Sequence, residues 1–342
     1  MRTLAAFTLL SVTVVGGFVV AQAPKARHNR VIALLEQKQP VFGLYAPSNR
    51  RPGAPPGGAV RPGGAPAAAA MPDTPKSPAE LAKQAAEYRL SDFVFDGSME
   101  GDFDAAYPAF EQFAKGLMQA GVLARAPYLH LTHPIIVKAP EIAPNPAAAA
   151  ANIGRQLNLG VSGVMLVTVE TAEEARQGIA AMRFKSKGGT RGGDVGQAPA
   201  VWGMTDAEYR EKADLWPLNP NGELINWTIV ESKKGLENLR EIAAVPGIGV
   251  LWPGAGTLRG VFSTTSPSGE RTVDQVAWEA AIQQVLSACK TNKIACGFPA
   301  SATDIETRIK QGFSVFVMNW GDAGFKAVEA GRKLARRNDT SR

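Results

Sequence analysis

Eight short apolar runs, alternating with amphipathic helical stretches, constrain this chain more than any other feature. They read VFGLY (41–45), DFVFD (92–96), PIIVK (134–138), GVMLVTV (163–169), INWTIVE (225–231), IGVLW (248–252), KIACGF (293–298) and FSVFVMN (313–319). Continuously apolar strands need cover on both faces, which a parallel sheet flanked by helices provides. The helical stretches carry their own start and stop signals. Thr171-x-x-Glu174 and Thr303-x-x-Glu306 read as capping boxes, and Ser77-Pro78-Ala79-Glu80 opens a third helix. Gly160 and Gly312 end helices before the next strand. Eight such units predict an α/β fold, a single-domain (β/α)8 TIM barrel over 41–338. The competing doubly wound sheet has no G-x-G-x-x-G after an early strand, so nucleotide binding finds no support.

The flanks are compositionally distinct. Residues 1–21 have a basic start, an apolar stretch and a small-residue end, the build of a secretory signal cleaved after Ala21. The expectation is export, to the periplasm or beyond, with no stable membrane association afterwards. Residues 22–40 form a tail and lead-in, and 339–342 a short tail. The net charge of +6 comes largely from the ends (Arg2, Lys25, Arg27, Arg30, Arg332, Lys333, Arg336, Arg337, Arg342), which read as solvated tails. They carry no interleaved aromatics, so nucleic acid is not an expected partner. Residues 50–76 are rich in Pro, Gly and Ala without periodicity, an insert after the first strand that is either a lid or inert. Cys289 and Cys296, late in a helix and early in a strand, are expected as two buried thiols.

In a (β/α)8 barrel, chemistry gathers at the C-terminal ends of the strands. That rule selects Ser48 and Asn49, Asp96 and Glu100, Lys138, Glu170, Glu231, Thr257, Ser301, and Asn319 with Asp322. It rejects the histidines: His28 falls in the tail, while His130 and His133 precede the third strand. A histidine base is therefore not expected at the mouth. The segment DLWPLNPNGEL (214–224) reads either as a shaped loop over the mouth or as an ordinary surface turn.

Several of these segments together resemble the HpcH/HpaI aldolase/citrate lyase family, the metal-dependent pyruvate aldolases. GVSGVMLVTVETAEEARQGIAAMRFKSKGGTRG (160–192) is similar to its strand, helix and Gly-x-Arg-Gly segment, here with Arg191. WTIVESKKGLENL (227–239) resembles the strand ending in a metal-ligand Glu, here Glu231. VPGIGVLWPGAGTL, DFVFDGSMEG and GFSVFVMNWGD follow the order of the family's remaining strand ends. The resemblance implies a barrel often assembled as a homo-oligomer. It also implies a divalent metal, Mg2+ or Mn2+, that stabilises a pyruvate enolate during cleavage of oxo-acid substrates.

The departures matter as much as the matches. Thr257 stands where the resemblance places a second metal carboxylate, and Met99 where it places the His of an Asp-His dyad. Lys138 takes the place of an Arg that holds the substrate carboxylate. The expected function is an aldolase-like carbon–carbon lyase acting on an oxo-acid. Glu231 and Thr257 are its metal positions, and Asp96, Glu100, Lys138 and Arg191 its catalytic positions. The alternative is an exported small-molecule-binding protein on a decayed aldolase barrel.

Overall fold

The computed structural model describes residues 25–49 and 75–337. The expected signal segment, and all but the last two residues of the 50–76 insert, lie outside them. So does the 339–342 tail.

All eight apolar runs form strands. They are β1 (Val41–Tyr45), β2 (Val94–Asp96), β3 (Ile135–Lys138), β4 (Gly163–Leu166), β5 (Leu224–Val230), β6 (Ile248–Pro253), β7 (Ala295–Pro299) and β8 (Val315–Met318). Each pairs in parallel with the next, and the β8–β1 pairing, with Val41 opposite Val315 and Leu44 opposite Met318, closes the ring. The result is a (β/α)8 TIM barrel. Helices between the strands bury a second apolar layer outside it. Among the described residues, no helix is long and apolar enough to cross a membrane.

Local chemistry explains most helix boundaries. Ser77 and Glu80 form a reciprocal capping box, and Thr171 accepts from the Glu174 N–H. Gly160 and Gly312 take left-handed φ values of +86° and +113° at helix ends. The expected box at Thr303 does not form. Asp304 occupies the cap position of helix Ile305–Gln311, and its carboxylate turns back to the Ser301 N–H at 2.7 Å.

The barrel interior is filled by rings. Phe95, Trp227 and Trp252 stack across it, with centroids 5.8 and 5.5 Å apart. Each buried ring contributes roughly 3 kcal/mol of transfer free energy. The rings fit because facing strands present glycine. A Cβ at Gly297 would fall 1.8 Å from Trp252, and one at Gly43 2.3 Å from Phe93. Val31, Ile32 and Leu34 of helix Arg30–Glu36 belong to the same cluster, so this helix plugs the lower end.

That plug corrects the reading of the chain ends as solvated tails. Arg27 is 1% exposed, paired with Glu36 and Glu223, and donates to the Gly222 and Pro220 carbonyls. Arg337 grips the fully buried Asp92 through two 2.6 Å bonds, and Arg30 and Arg332 join at 3.2 and 3.3 Å. Burying a carboxylate is tolerable only when it is this well paired. His28 is likewise buried, its ring 4.8 Å from that of Trp202.

The expectation of two thiols is also corrected. Cys289, in helix Gln275–Asn292, is disulfide-bonded to Cys296 in β7, with Cα atoms 5.7 Å apart. The helix packs directly on the sheet at this point, which brings the two within bridging range.

Candidate active site

Side chains alternate along a strand, so the inward rows can be followed up to the mouth. On β1 the row runs Val41, Gly43, Tyr45; on β3 it runs Ile136, Lys138; on β5 it runs Ile225, Trp227, Ile229 and continues to Glu231. Tyr45, Lys138 and Glu231 thus stand above the ring-filled core at the C-terminal end of the barrel.

Glu231 is held firmly. It is 5% exposed, and its Oε1 accepts from the Thr168 N–H at 3.0 Å and the Thr168 hydroxyl at 3.3 Å. Thr168, just past β4, adopts φ +49°, a costly conformation for a β-branched residue. The strain turns its N–H toward the carboxylate. Gly254, just past β6, leaves room for the rest of Glu231: a Cβ there would come 2.3 Å from Glu231 Cβ and 2.7 Å from Oε2. Lys234 does not compete for Glu231, since it pairs with Glu170 at 3.1 Å.

Lys138 Nζ donates to Glu100 Oε2 at 2.7 Å, with both side chains largely buried. Gly97 lies beside this pair: a methyl group on it would sit 3.5 Å from Lys138 Cδ and 3.7 Å from Tyr45 Cε1. Tyr45 packs edge-on against Phe95 at 5.0 Å. Burial, then the charges of Glu100, Glu231 and Asp96, push its phenol well above the ordinary range.

The remaining expected positions separate from this group. Asp96 stands on the outward row with Val94, and its Oδ1 accepts from the Ser98 N–H at 2.8 Å, closing the turn after β2. Asp102 caps helix Phe103–Gln119. Met99 is fully buried, near Gln156, whose amide reaches Met99 Sδ at 3.7 Å and the Lys138 carbonyl at 2.9 Å. The residue at the expected dyad position has become part of the core. Thr257 is exposed on helix Ala255–Val261, and Asp322 is exposed at the start of the last helix.

Arg191 lies at the other end of the barrel. Its Nη2 donates to Asn158, the last residue of helix Pro146–Asn158, and its N–H donates to the Arg183 carbonyl at the end of helix Ala172–Met182. Helices of this fold run against the strands, so their C-terminal ends mark the lower face. Phe184 covers the guanidinium at 4.4 Å. A cavity of about 280 Å³ lined by Arg155, Asn158, Thr190 and Arg191 opens on that side rather than at the mouth. Segment 214–224 is on the lower face too, with Asp214 bound to Arg183 at 2.6 Å and Lys25 donating to the Pro220 carbonyl. It is not a loop over the mouth. His133 also lies there, its ring nitrogens bonded to Thr132 and the Tyr88 carbonyl.

Among the described residues, no group of three His, Cys, Asp or Glu is arranged to hold a metal ion. The donor set fits a Mg2+-like ion that takes one carboxylate from the protein, Glu231, and its other ligands from substrate and water. It does not fit an ion caged by protein alone. Sequence reasoning missed Tyr45, Thr168 and Gly254. Counting by twos along VFGLY would have found Tyr45, whereas the other two became visible only through their contacts with Glu231.

A closed parallel barrel with ionisable side chains converging above strands 1, 2, 3 and 5 defines the class as a TIM-barrel protein with an enzyme-like mouth. The sequence profile of the HpcH/HpaI aldolase/citrate lyase family matches residues 118–329, and the chain belongs to that family. It is 28% identical over 183 residues to the 2-keto-3-deoxy-L-rhamnonate aldolase of Escherichia coli O6:K15:H31, covering 53% of this chain and 60% of the relative. A second such aldolase, from E. coli O1:K1, is 28% identical over 206 residues, 60% of this chain and 65% of that one. The chain therefore spans about three fifths of the length of these curated relatives. In fold it is similar to an HpcH/HpaI family protein from Burkholderia cenocepacia J2315, with TM-score 0.61, 19% identity and coverage of 90% and 98%. Macrophomate synthase is similar at TM-score 0.54 and 18% identity, with coverage of 91% and 88%.

Proposed function

We propose that this chain is an aldolase-like carbon–carbon lyase acting on an oxo-acid, with its acid/base group rebuilt around Glu100. The observation that carries this reading is the convergence of Glu231, Tyr45 and the Lys138–Glu100 pair above one barrel axis. Family membership and the similar rhamnonate aldolases support the reaction class.

Each residue has a task suited to its chemistry. Lys138 is a buried cation that attracts the substrate carboxylate, without the two-pronged grip of an arginine. Glu100, beside it, takes the proton of the substrate hydroxyl as the carbon–carbon bond breaks. Thr168 and Gly254 fix Glu231 so that one carboxylate edge stays directed along a single line. A divalent cation, Mg2+ or Mn2+, held by Glu231, supplies Lewis-acid polarisation of the 2-oxo group when bound. An exported protein would meet such oxo-acids outside the cytoplasm, consistent with the leader-like residues 1–21.

A second reading, an oxo-acid-binding protein without turnover, draws on the burial of Met99 and the exposure of Thr257. The test is calorimetric titration of Mg2+ and Mn2+ into wild type and Glu231→Ala, with and without pyruvate. Metal binding that depends on Glu231 and is strengthened by pyruvate supports the lyase. Pyruvate binding with no metal binding in either protein favours the second reading.

A further inference from the structure

We propose that Tyr45 is the residue through which a proton reaches or leaves the substrate carbon next to the oxo group. The inference rests on the lyase reading above and names the group that the loss of a histidine leaves unfilled.

Tyr45 ends the inward row of β1, above the stacked rings at the C-terminal end of the barrel, and its ring packs edge-on against Phe95. Gly97 joins it to the catalytic pair, because the space beside that α-carbon is bounded by Tyr45 on one side and Lys138 on the other. Glu231 ends the inward row of β5 at the same end of the barrel. Glu100 is held at this place by Lys138, 2.7 Å away, whose side chain borders the same space beside Gly97 as the Tyr45 ring. Among the described residues, no other phenol, imidazole or thiol stands on an inward row at this end: the histidines are on the lower face, and both cysteines are in a disulfide. A neutral phenol near anions keeps its proton until a basic carbon forms beside it.

The proton balance closes. When a 4-hydroxy-2-oxo acid is cleaved, Glu100 takes the hydroxyl proton, the C3–C4 bond breaks, and C4 leaves as an aldehyde carbonyl. The bond's electron pair becomes the enolate of the remaining 2-oxo acid. Tyr45 Oη–H passes its proton to C3, and the protonated Glu100 restores the phenol. In the reverse direction, a C3 proton moves to Tyr45 as the Tyr45 proton moves to Glu100. No external acid or oxidant is consumed.

Proton exchange at C3 can be read without an aldehyde partner. Full-length protein with Mg2+ or Mn2+ is incubated with pyruvate, and separately with 2-oxobutanoate, in D2O. Deuterium uptake beside the oxo group is followed by proton NMR, and pyruvate binding by saturation-transfer NMR. Tyr45→Phe keeps the ring and its packing on Phe95, and removes only the hydroxyl. The expected result is exchange slowed by about 100-fold or more, the usual range for a lost acid/base group, with pyruvate binding and thermal midpoint close to wild type. Tyr45→Phe exchanging at the wild-type rate overturns the inference and leaves the lyase reading intact. Exchange and pyruvate binding lost together make Tyr45 a binding residue, which also overturns it. Failure of the wild type to exchange either oxo-acid removes the lyase reading, and this inference falls with it.

Discussion

Lys138 and Glu100 meet at 2.7 Å although they come from the ends of different strands, one from β3 and the other from the turn after β2. The pair supplies a cation and a carboxylate within one hydrogen bond of each other, and it is only slightly exposed. On the proposed lyase reading, a substrate carboxylate arriving at Lys138 would compete with Glu100 for the same ammonium and free Glu100 to act as a base.

Lys138→Met is predicted to weaken oxo-acid binding by about 10- to 100-fold, the value of a hydrogen bond to a charged group. Glu100→Gln is predicted to bind as well as wild type or better, because the competing charge is gone, yet to lose turnover. Titration of pyruvate into both variants, beside a cleavage assay, separates the two effects.

Gly254→Ala is predicted to mimic Glu231→Ala in metal binding while leaving the barrel folded. The added methyl would overlap Glu231 Cβ and crowd Oε2, so the carboxylate must swing off its line to Thr168. Overpacking of this kind costs about 1–3 kcal/mol. Mn2+ titration and urea unfolding of the same sample test both parts. Unchanged metal affinity would remove Glu231 from the proposed role.

Asp92→Asn is predicted to destabilise the fold by on the order of 3–5 kcal/mol, the cost of stripping the partner from buried charges. Three guanidinium groups converge on that carboxylate, and their pull, Arg337 foremost among the charges, holds its pKa below the ordinary carboxylate range despite full burial. Denaturant titration of the variant at pH 7 gives the value directly.

Stability is predicted to fall between about pH 6.5 and 4. Burial against Trp202 lowers the His28 pKa from 6.5 to about 4, so the imidazole stays neutral in the folded protein while the unfolded chain protonates. Stability from this group is complete above the unfolded pKa and declines as pH falls through the window, by on the order of 3 kcal/mol in total. His133, buried as well, shifts in the same direction. The Asp92 contribution has the sign of a depressed carboxylate and is lost only at lower pH still. His28→Phe should flatten the upper window in urea titrations run at successive pH values.

Purified protein is predicted to show no thiol reacting with Ellman's reagent until it is reduced, and two afterwards, because Cys289 and Cys296 are joined. Two reactive thiols in unreduced, unfolded protein would overturn the pairing.

The barrel was legible because its signal is repeated. Each strand is an uninterrupted apolar run, and most helices carry a cap within four residues, so neighbouring segments reinforce one another. The mouth was legible in part. The strand-end rule selected Glu231, Lys138 and Glu100, which stand together at the barrel mouth, and also Asp96, whose outward row the runs alone did not reveal. Arg191 and the 214–224 segment were assigned by likeness or by loop character, and the direction of the helices puts both on the lower face. The basic ends looked solvated because charge runs usually are. What reversed that reading was a partner distant in sequence: Asp92 lies 240 and 245 residues from Arg332 and Arg337.

That same carboxylate imposes an order on folding. Asp92 is drawn together with Arg30 from the front of the chain and with Arg332 and Arg337 from its far end. Until the last helix has docked, the lower end of the barrel holds a buried anion short of most of its counter-charge. An N-terminal portion of the chain that stops short of Arg332 leaves Asp92 without two of these three guanidinium partners.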